Sequence, residues 1–300
     1  MKKVYIWGWY SDYDLSSFNE LEKKSCSIRN ISMSKFGRLL LRVPIVNGIY
    51  FSLKKKMLGK LSGEKSVLFL SDDILYYQDL LESLVGVECK VIILIRNKIN
   101  PSQEVNMFLA KEVTREIYTF DESDASNYNI SFLEQYLPIT YDERRDKANS
   151  NEKVAYFIGL EKGREGILNE LSFNLKKENV ICNFNIIRKS ITRRLLGKSD
   201  GISYKENIDN VISSDFLVEI NSKDQQGLTL RALEAVYYKK KLITNNINIR
   251  NFNFYNPDNI YILDDNLKVP KCFLLSEYDN TINLDLNKHL ASNVYLQLMN

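Results

Sequence analysis

Short, continuous runs of aliphatic, β-branched and aromatic residues constrain this chain more than any other feature. Val4–Trp7, Ser66–Leu70 (Ser-Val-Leu-Phe-Leu), Lys90–Ile95 (Lys-Val-Ile-Ile-Leu-Ile) and Glu116–Phe120 recur with little polar alternation. A strand with one wet face alternates apolar with polar residues, whereas a strand covered on both faces does not. Between the runs lie stretches of helical spacing, in which Tyr76, Leu80, Leu81, Leu84 and Val85 form one apolar stripe. Strand, helix, strand in repetition predicts a parallel sheet covered by helices.

The rhythm breaks at Thr140–Lys153, which is almost wholly polar and charged and reads as a linker. It restarts with strands at Val154–Ile158, Val180–Ile187, Phe216–Ile220, Lys241–Thr244 and Ile260–Leu263. Helices are predicted from about Glu165 to Glu178, Leu228 to Tyr238 and Leu284 to Met299. Three hundred residues exceed the needs of one ordinary core. The expected architecture is therefore α/β, with two tandem Rossmann-like domains at residues 1–145 and 146–300. The last helix is a candidate to cross back. Ligands of parallel sheets sit beyond the carboxyl ends of the strands. Two such domains facing a central cleft bring two sets of strand ends together.

Forty-one Lys and Arg stand against 38 Asp and Glu, a net charge of +3, so no nucleic-acid partner is expected. The four cysteines, Cys26, Cys89, Cys182 and Cys272, form no CxxC pair and read as reduced thiols, not as a zinc or redox motif. The opening Met-Lys-Lys-Val-Tyr-Ile-Trp-Gly has too short an apolar stretch for a signal peptide and reads as a strand. With no run of 18 apolar residues, the expected location is the cytoplasm.

The most informative stretch is Asp224-Gln-Gln-Gly-Leu-Thr-Leu-Arg-Ala-Leu-Glu-Ala235, which follows a strand and opens a helix. Gly227 permits close approach of a ligand, and a helix N-terminus offers free N–H groups to an anion. Thr229 adds a hydroxyl in the first turn. Glu234 falls about two turns in, roughly 10 Å from that end at 1.5 Å rise per residue, about the span from a diphosphate to a ribose. An ordinary solvent-capped helix is the competing reading. Against it stands the next stretch, Lys239-Lys-Lys-Leu-Ile-Thr-Asn-Asn246, a basic turn, a short strand and a polar end.

Gln226 and Glu234 have the eight-position spacing of the E-x7-E motif in the donor-binding domain of GT-B glycosyltransferases, with Gln226 replacing the first glutamate. Residues 227–235, 240–246 and 254–260 together resemble a family of bacterial lipopolysaccharide and capsule biosynthesis proteins, related to lipopolysaccharide core biosynthesis transferases. Tyr118–Asp121 with Asp124 and Tyr128, and Phe157–Arg164, fit the same family. The resemblance covers roughly residues 65–265. It implies a nucleotide-sugar donor bound by the second domain through Gly159, Lys162, Arg164, Glu219, Gln226, Gly227, Leu228, Thr229 and Glu234. From the residues alone, Gly159-Leu-Glu-Lys-Gly-Arg164 is either a diphosphate cradle or a solvated basic turn. The resemblance favours the cradle, where Lys162 and Arg164 neutralise the leaving diphosphate.

His289 is the single histidine and lies in the last helix, outside every strand-end loop. If transfer inverts the anomeric carbon, the base is therefore a carboxylate. Asp72 and Asp73 end one strand and Asp12 follows another, so these three are the catalytic candidates. A helix cap is the alternative for Ser71-Asp72-Asp73. Acceptor contacts are expected at Gly8, Tyr10, Arg96 and Asn97. No metal site and no cofactor beyond the donor itself are expected, because Asp12-Tyr-Asp14 lies in the wrong domain for a metal-binding Asp-x-Asp. Arg38, Arg42, Lys54–Lys56 and Lys60, interleaved with apolar residues, form a candidate surface for anionic lipid at the inner membrane. A second basic run is Arg188, Lys189, Arg193, Arg194 and Lys198. Solvated helix faces are the alternative for both. The expected function is sugar transfer to a glycan or lipid-linked oligosaccharide acceptor in lipopolysaccharide or capsule synthesis. The alternatives are a catalytically silent nucleotide- or glycan-binding protein of the same assembly, and a nucleotide-sugar epimerase.

Overall fold

A computed structural model of the protein describes residues 2–10, 12–24, 26–32, 66–138, 152–188, 201–221, 227–281 and 286–300. The chain forms two compact units, residues 1–134 with 289–300, and residues 135–288. Elements are numbered below in chain order over the described residues.

The first unit carries a six-stranded parallel sheet in the order β2-β1-β3-β4-β5-β6. Its strands are β1 (Lys2–Trp7), β2 (Cys26–Asn30), β3 (Ser66–Ser71), β4 (Lys90–Ile95), β5 (Ile117–Thr119) and β6 (Ser131–Phe132). Its helices are α1 (Asp12–Lys23), α2 (Gln78–Glu82), α3 (Pro101–Glu104), α4 (Met107–Val113), α5 (Glu122–Tyr128) and, from the far end of the chain, α10 (Ala291–Met299). All six residues of β3 are buried, as the unalternating run requires. Leu68, Leu70 and Ile93 join Leu80, Leu81 and Leu84 in one core cluster. On a separate patch, Phe18 of α1, Phe69 of β3 and Tyr295 of α10 pack together, with the Phe18 and Tyr295 rings stacked at 4.5 Å. The ends of the expected stripe are different. Tyr76 and Val85 are about half exposed, because Tyr76 ends a 3-10 turn (Asp72–Tyr76) and α2 stops at Glu82.

The second unit carries a five-stranded parallel sheet in the order β11-β10-β9-β7-β8. Its strands are β7 (Lys153–Leu160), β8 (Val180–Ile187), β9 (Phe216–Glu219), β10 (Lys241–Thr244) and β11 (Ile260–Ile262). Its helices are α6 (Glu165–Lys177), α7 (Tyr204–Ser213), α8 (Leu230–Tyr237) and α9 (Lys271–Leu275). Phe157, Leu168, Leu171, Val218 and Ile243 belong to its main core cluster.

The second unit ends at 288, and α10, the helix expected as a candidate to cross back, buries Tyr295 and Leu298 in the first unit. The expected boundary at 145 lies outside the described residues, as do Arg38–Lys60 and Lys189–Lys198, and the division falls between 134 and 135. Arg188, at the edge of the second basic run, pairs with Glu165. No helix among the described residues is long and apolar enough to cross a membrane. In each sheet the chain places its second strand on one side of the first and its third strand on the other, so β1/β3 and β7/β9 are switch points where the crossovers diverge. Loops beyond the carboxyl ends of such a pair leave a crevice.

Candidate functional site in the second unit

An open pocket of about 290 Å³ lies at the β7/β9 switch point. Its walls are the end of β7, the turn before α6, the end of β9 and the start of α8. The turn is built by the sequence Glu161-Lys-Gly-Arg164. Lys162 (φ +40°) and Gly163 (φ +77°) are both left-handed. Glu161 closes the turn by accepting from the Gly163 N–H at 3.1 Å and, through its carbonyl, from the Arg164 N–H at 2.8 Å. Lys162 is thereby exposed at the pocket, and Arg164 is half-buried in its wall. Gly159 serves this arrangement indirectly. A Cβ there would lie 3.1 Å from Arg164 Nη1 and 3.0 Å from the Phe157 ring, so the glycine leaves room for the guanidinium.

Glu219 ends β9 and lines the pocket, yet is only 3% exposed. Its carboxylate accepts from the hydroxyls of Thr229 and Thr244. Burial pushes its pKa up, against the pull of those hydroxyls and of Arg231 and Arg164. Burial likewise lowers the pKa of Arg164, with Glu219 opposing. Thr229 caps α8, its hydroxyl oxygen accepting from the Ala232 N–H at 3.4 Å while its proton goes to Glu219. One residue therefore ties the helix start to the strand end. The charged residues lining the pocket, among those described, are Lys162, Arg164 and Arg231 against Glu219. Arg231 is paired with Glu234, and Lys162 and Arg164 against Glu219 still leave the lining positive, which favours an anionic ligand. Arg164 Nε and Asn221 Nδ2 are buried donors on this pocket with no hydrogen-bond partner among the described residues. Orphan donors of this kind are uncommon and each one calls for an explanation, such as an absent acceptor. The Asn221 backbone is fixed by Asn245, which accepts from its N–H at 2.7 Å and donates to its carbonyl at 3.1 Å.

Glu234 stands apart from this lining. It is 1% exposed, and its two oxygens accept from Asn207 Nδ2 at 3.0 Å and from Arg231 Nη1 at 2.6 Å. Burial raises its pKa, opposed mainly by Arg231. Because α8 begins at Leu230, Glu234 lies just over one turn in, not two. Leu228 is buried, and neither it nor Gly227 lines the pocket. Gln226 lies outside the described residues.

In the first unit the other candidates follow the carboxyl ends of β1, β3 and β4. Gly8 (φ +91°) turns the chain just after β1, and its N–H donates to Ser32 Oγ at 2.9 Å. A Cβ on it would lie 1.9 Å from Ser71 Oγ, so this glycine is required by the close approach of β3. Asp72 is buried, accepting from Asn97 Nδ2 at 3.1 Å, while its carbonyl accepts from Gln103 Nε2 at 3.1 Å. Ser71 Oγ accepts from the Asp73 N–H at 3.3 Å and caps the 3-10 turn. Arg96 lies over the Trp9 ring at 5.5 Å. Tyr10 is half-buried just beyond Trp9, and Asp12 opens α1. His289 lies not in the last helix but in the 3-10 turn Leu286–His289 before it, buried with Nδ1 3.8 Å from Glu134 Oε2. Sequence reasoning missed Asn221 and Arg231. The available signal was position alone: Asn221 follows a strand end, and Arg231 sits in the first turn of a helix that opens on a ligand crevice.

No family model matches the chain, and no curated protein sequence matches it. Among solved structures, it is similar to OtsA in its apo form, at 9% identity and TM-score 0.56 over 100% of this chain and 95% of that one. It is also similar to the crystal structure of accessory secretory protein 1, 2 and 3 in Streptococcus pneumoniae, at 14% identity and TM-score 0.44 over 84% of this chain and 53% of that one. With its two parallel sheets and interleaved helices, the chain shares its α/β fold with OtsA.

Proposed function

We propose that the protein is a glycosyltransferase whose second unit holds a nucleotide-sugar by its diphosphate in the β7/β9 pocket. The observation that carries this reading is the lining itself: Lys162, Arg164 and Arg231 gathered at a switch point beside the start of α8, with the Arg164 Nε unpaired among the described residues. Cations gathered at the site before reaction would stabilise charge developing on a leaving nucleoside diphosphate. The likeness of fold to a GT-B enzyme supports the same reaction class. Glu219 holds the helix start and faces both arginines. The first unit would receive the acceptor at Gly8, Tyr10, Arg96 and Asn97, with Asp72, Asp73 or Asp12 as base if transfer inverts. We take the acceptor to be a growing lipopolysaccharide, capsule or related surface glycan, and the transfer to need no metal. Activity that is abolished by a chelator and restored by manganese would sink the last point.

The direct test is a thermal-shift and calorimetric screen of UDP, GDP, CMP and dTDP. One of them should raise the melting temperature, and Arg164→Gln should weaken its binding at least tenfold. No response to any nucleotide overturns the donor-site reading. The alternative, a catalytically silent nucleotide- or glycan-binding protein, draws support from Asp72, whose carboxylate is buried and held by Asn97. Slow hydrolysis of the donor without acceptor separates the two, since a silent binder releases no free nucleotide.

A further inference from the structure

We propose that Arg231 is a diphosphate-binding residue of the β7/β9 pocket, and that Glu234 is a positioning residue which aims it and does not take up a ribose. The inference rests on the reading of that pocket as a diphosphate site. Arg231 is the one residue shared, among those described, by the pocket lining and a buried polar network beneath it. Its Nη1 donates to Glu234 Oε2 at 2.6 Å and its Nη2 to Asn207 Oδ1 at 3.2 Å, while its guanidinium lies over the Tyr156 ring at 5.2 Å. Asn207 is itself held, accepting from the Tyr156 hydroxyl at 3.2 Å and donating to Glu234 Oε1 at 3.0 Å.

Every member of the ring Tyr156–Asn207–Glu234–Arg231 thus bonds to or stacks on another, and of these four Arg231 alone lines the pocket. A guanidinium has five N–H donors in a rigid fork, so an arginine that spends two on its supports still has others for phosphate oxygens. A free arginine side chain samples many rotamers, and fixing it beforehand removes that entropic cost from binding. Glu234 is in turn unsuited to a ribose. It is 1% exposed, and both its oxygens already accept hydrogen bonds inside the protein.

The sign of one substitution separates the roles. Removing a negative charge near an anion site strengthens anion binding by electrostatics alone. Loss of positioning weakens it. In the 300-residue chain, calorimetry with inorganic pyrophosphate and with the nucleoside of whichever nucleotide binds should show Glu234→Gln weakening pyrophosphate at least tenfold. Nucleoside affinity should stay within twofold of wild type. Arg231→Gln should weaken pyrophosphate to a similar extent, and the double variant should lose no more than Arg231→Gln alone, because Glu234 acts through Arg231. Arg231→Gln keeps the test decisive if Glu234→Gln fails to fold. Unchanged or tighter pyrophosphate binding in Glu234→Gln, additive losses in the double variant, or wild-type pyrophosphate affinity in Arg231→Gln overturns the inference alone. Wild-type protein that binds neither pyrophosphate nor any nucleotide overturns the diphosphate reading beneath it.

Discussion

Single residues at the two switch points have opposite tolerances, and both follow from their neighbours. At Gly8 the φ of +91° acts together with the Ser71 hydroxyl oxygen, which would lie 1.9 Å from an added Cβ. Gly8→Ala should destabilise the first unit by about 2–4 kcal/mol, combining left-handed strain with overpacking, and urea unfolding measures it. Replacing Ser71 by Gly in the same chain should recover the steric part only. At Gly159 the backbone is unstrained and the nearest atoms are the ends of two side chains. Gly159→Ala should therefore cost about 1 kcal/mol or less in stability while lowering nucleotide affinity, because Arg164 must move. Glu219 contributes to the pH dependence, alongside Glu234 and Asp124, whose pKa values burial also raises. Its pKa is raised above the usual 4.5 by burial, so the folded protein holds a proton over a range where the unfolded chain has lost it. Its contribution to stability is greatest below that value and declines as pH rises through the window up to the raised folded value. Glu219→Gln should flatten this part of the stability–pH profile, and a flat wild-type profile above pH 4.5 would contradict the argument.

At the scale of elements, the long buried strands were legible in the sequence because a run such as Lys-Val-Ile-Ile-Leu-Ile has no wet face to alternate against. β2 (Cys-Ser-Ile-Arg-Asn) and the two-residue β6 were not, because edge strands are partly exposed and carry polar residues that also suit a loop. The start of α8 shows how a boundary shifts function. Thr229 is its cap and not a first-turn residue, so its hydroxyl is engaged by the helix and by Glu219. Thr229→Ala should cost about 1–2 kcal/mol, the upper end reflecting the lost bond to a buried carboxylate. Thr229→Ser should restore most of it, as read by denaturant titration. Several residues of the resembling motifs also turn out to be structural. Asp121 caps α5 and Asp124 accepts the Ile99 N–H at 2.7 Å. Asn256 and Asn259 bind Asp279.

For the whole molecule, the decisive element is the last. Tyr295, 1% exposed, stacks on Phe18 and packs near Phe69, so α10 completes the first unit from the end of the chain. Tyr295→Ala should destabilise the first unit by about 3–5 kcal/mol and leave the core of the second unit intact. Hydrogen exchange would show this as lost protection in β1 and β3 with protection retained in β7 and β9. Uniform loss across both sheets would refute independent cores. The sequence by itself determined the α/β class, the strand runs and the stretch that opens α8, because periodicity and helix-start chemistry are local. Tertiary structure alone decided the strand order that makes β7/β9 a switch point, that α10 does cross back to the first unit, and the partners of Glu234 and Arg231. Those depend on which residues distant in sequence meet in a dry interior, where a carboxylate must find internal donors such as Asn207 and Arg231. A motif spacing records that Glu234 is present, and its partners decide that it faces inward.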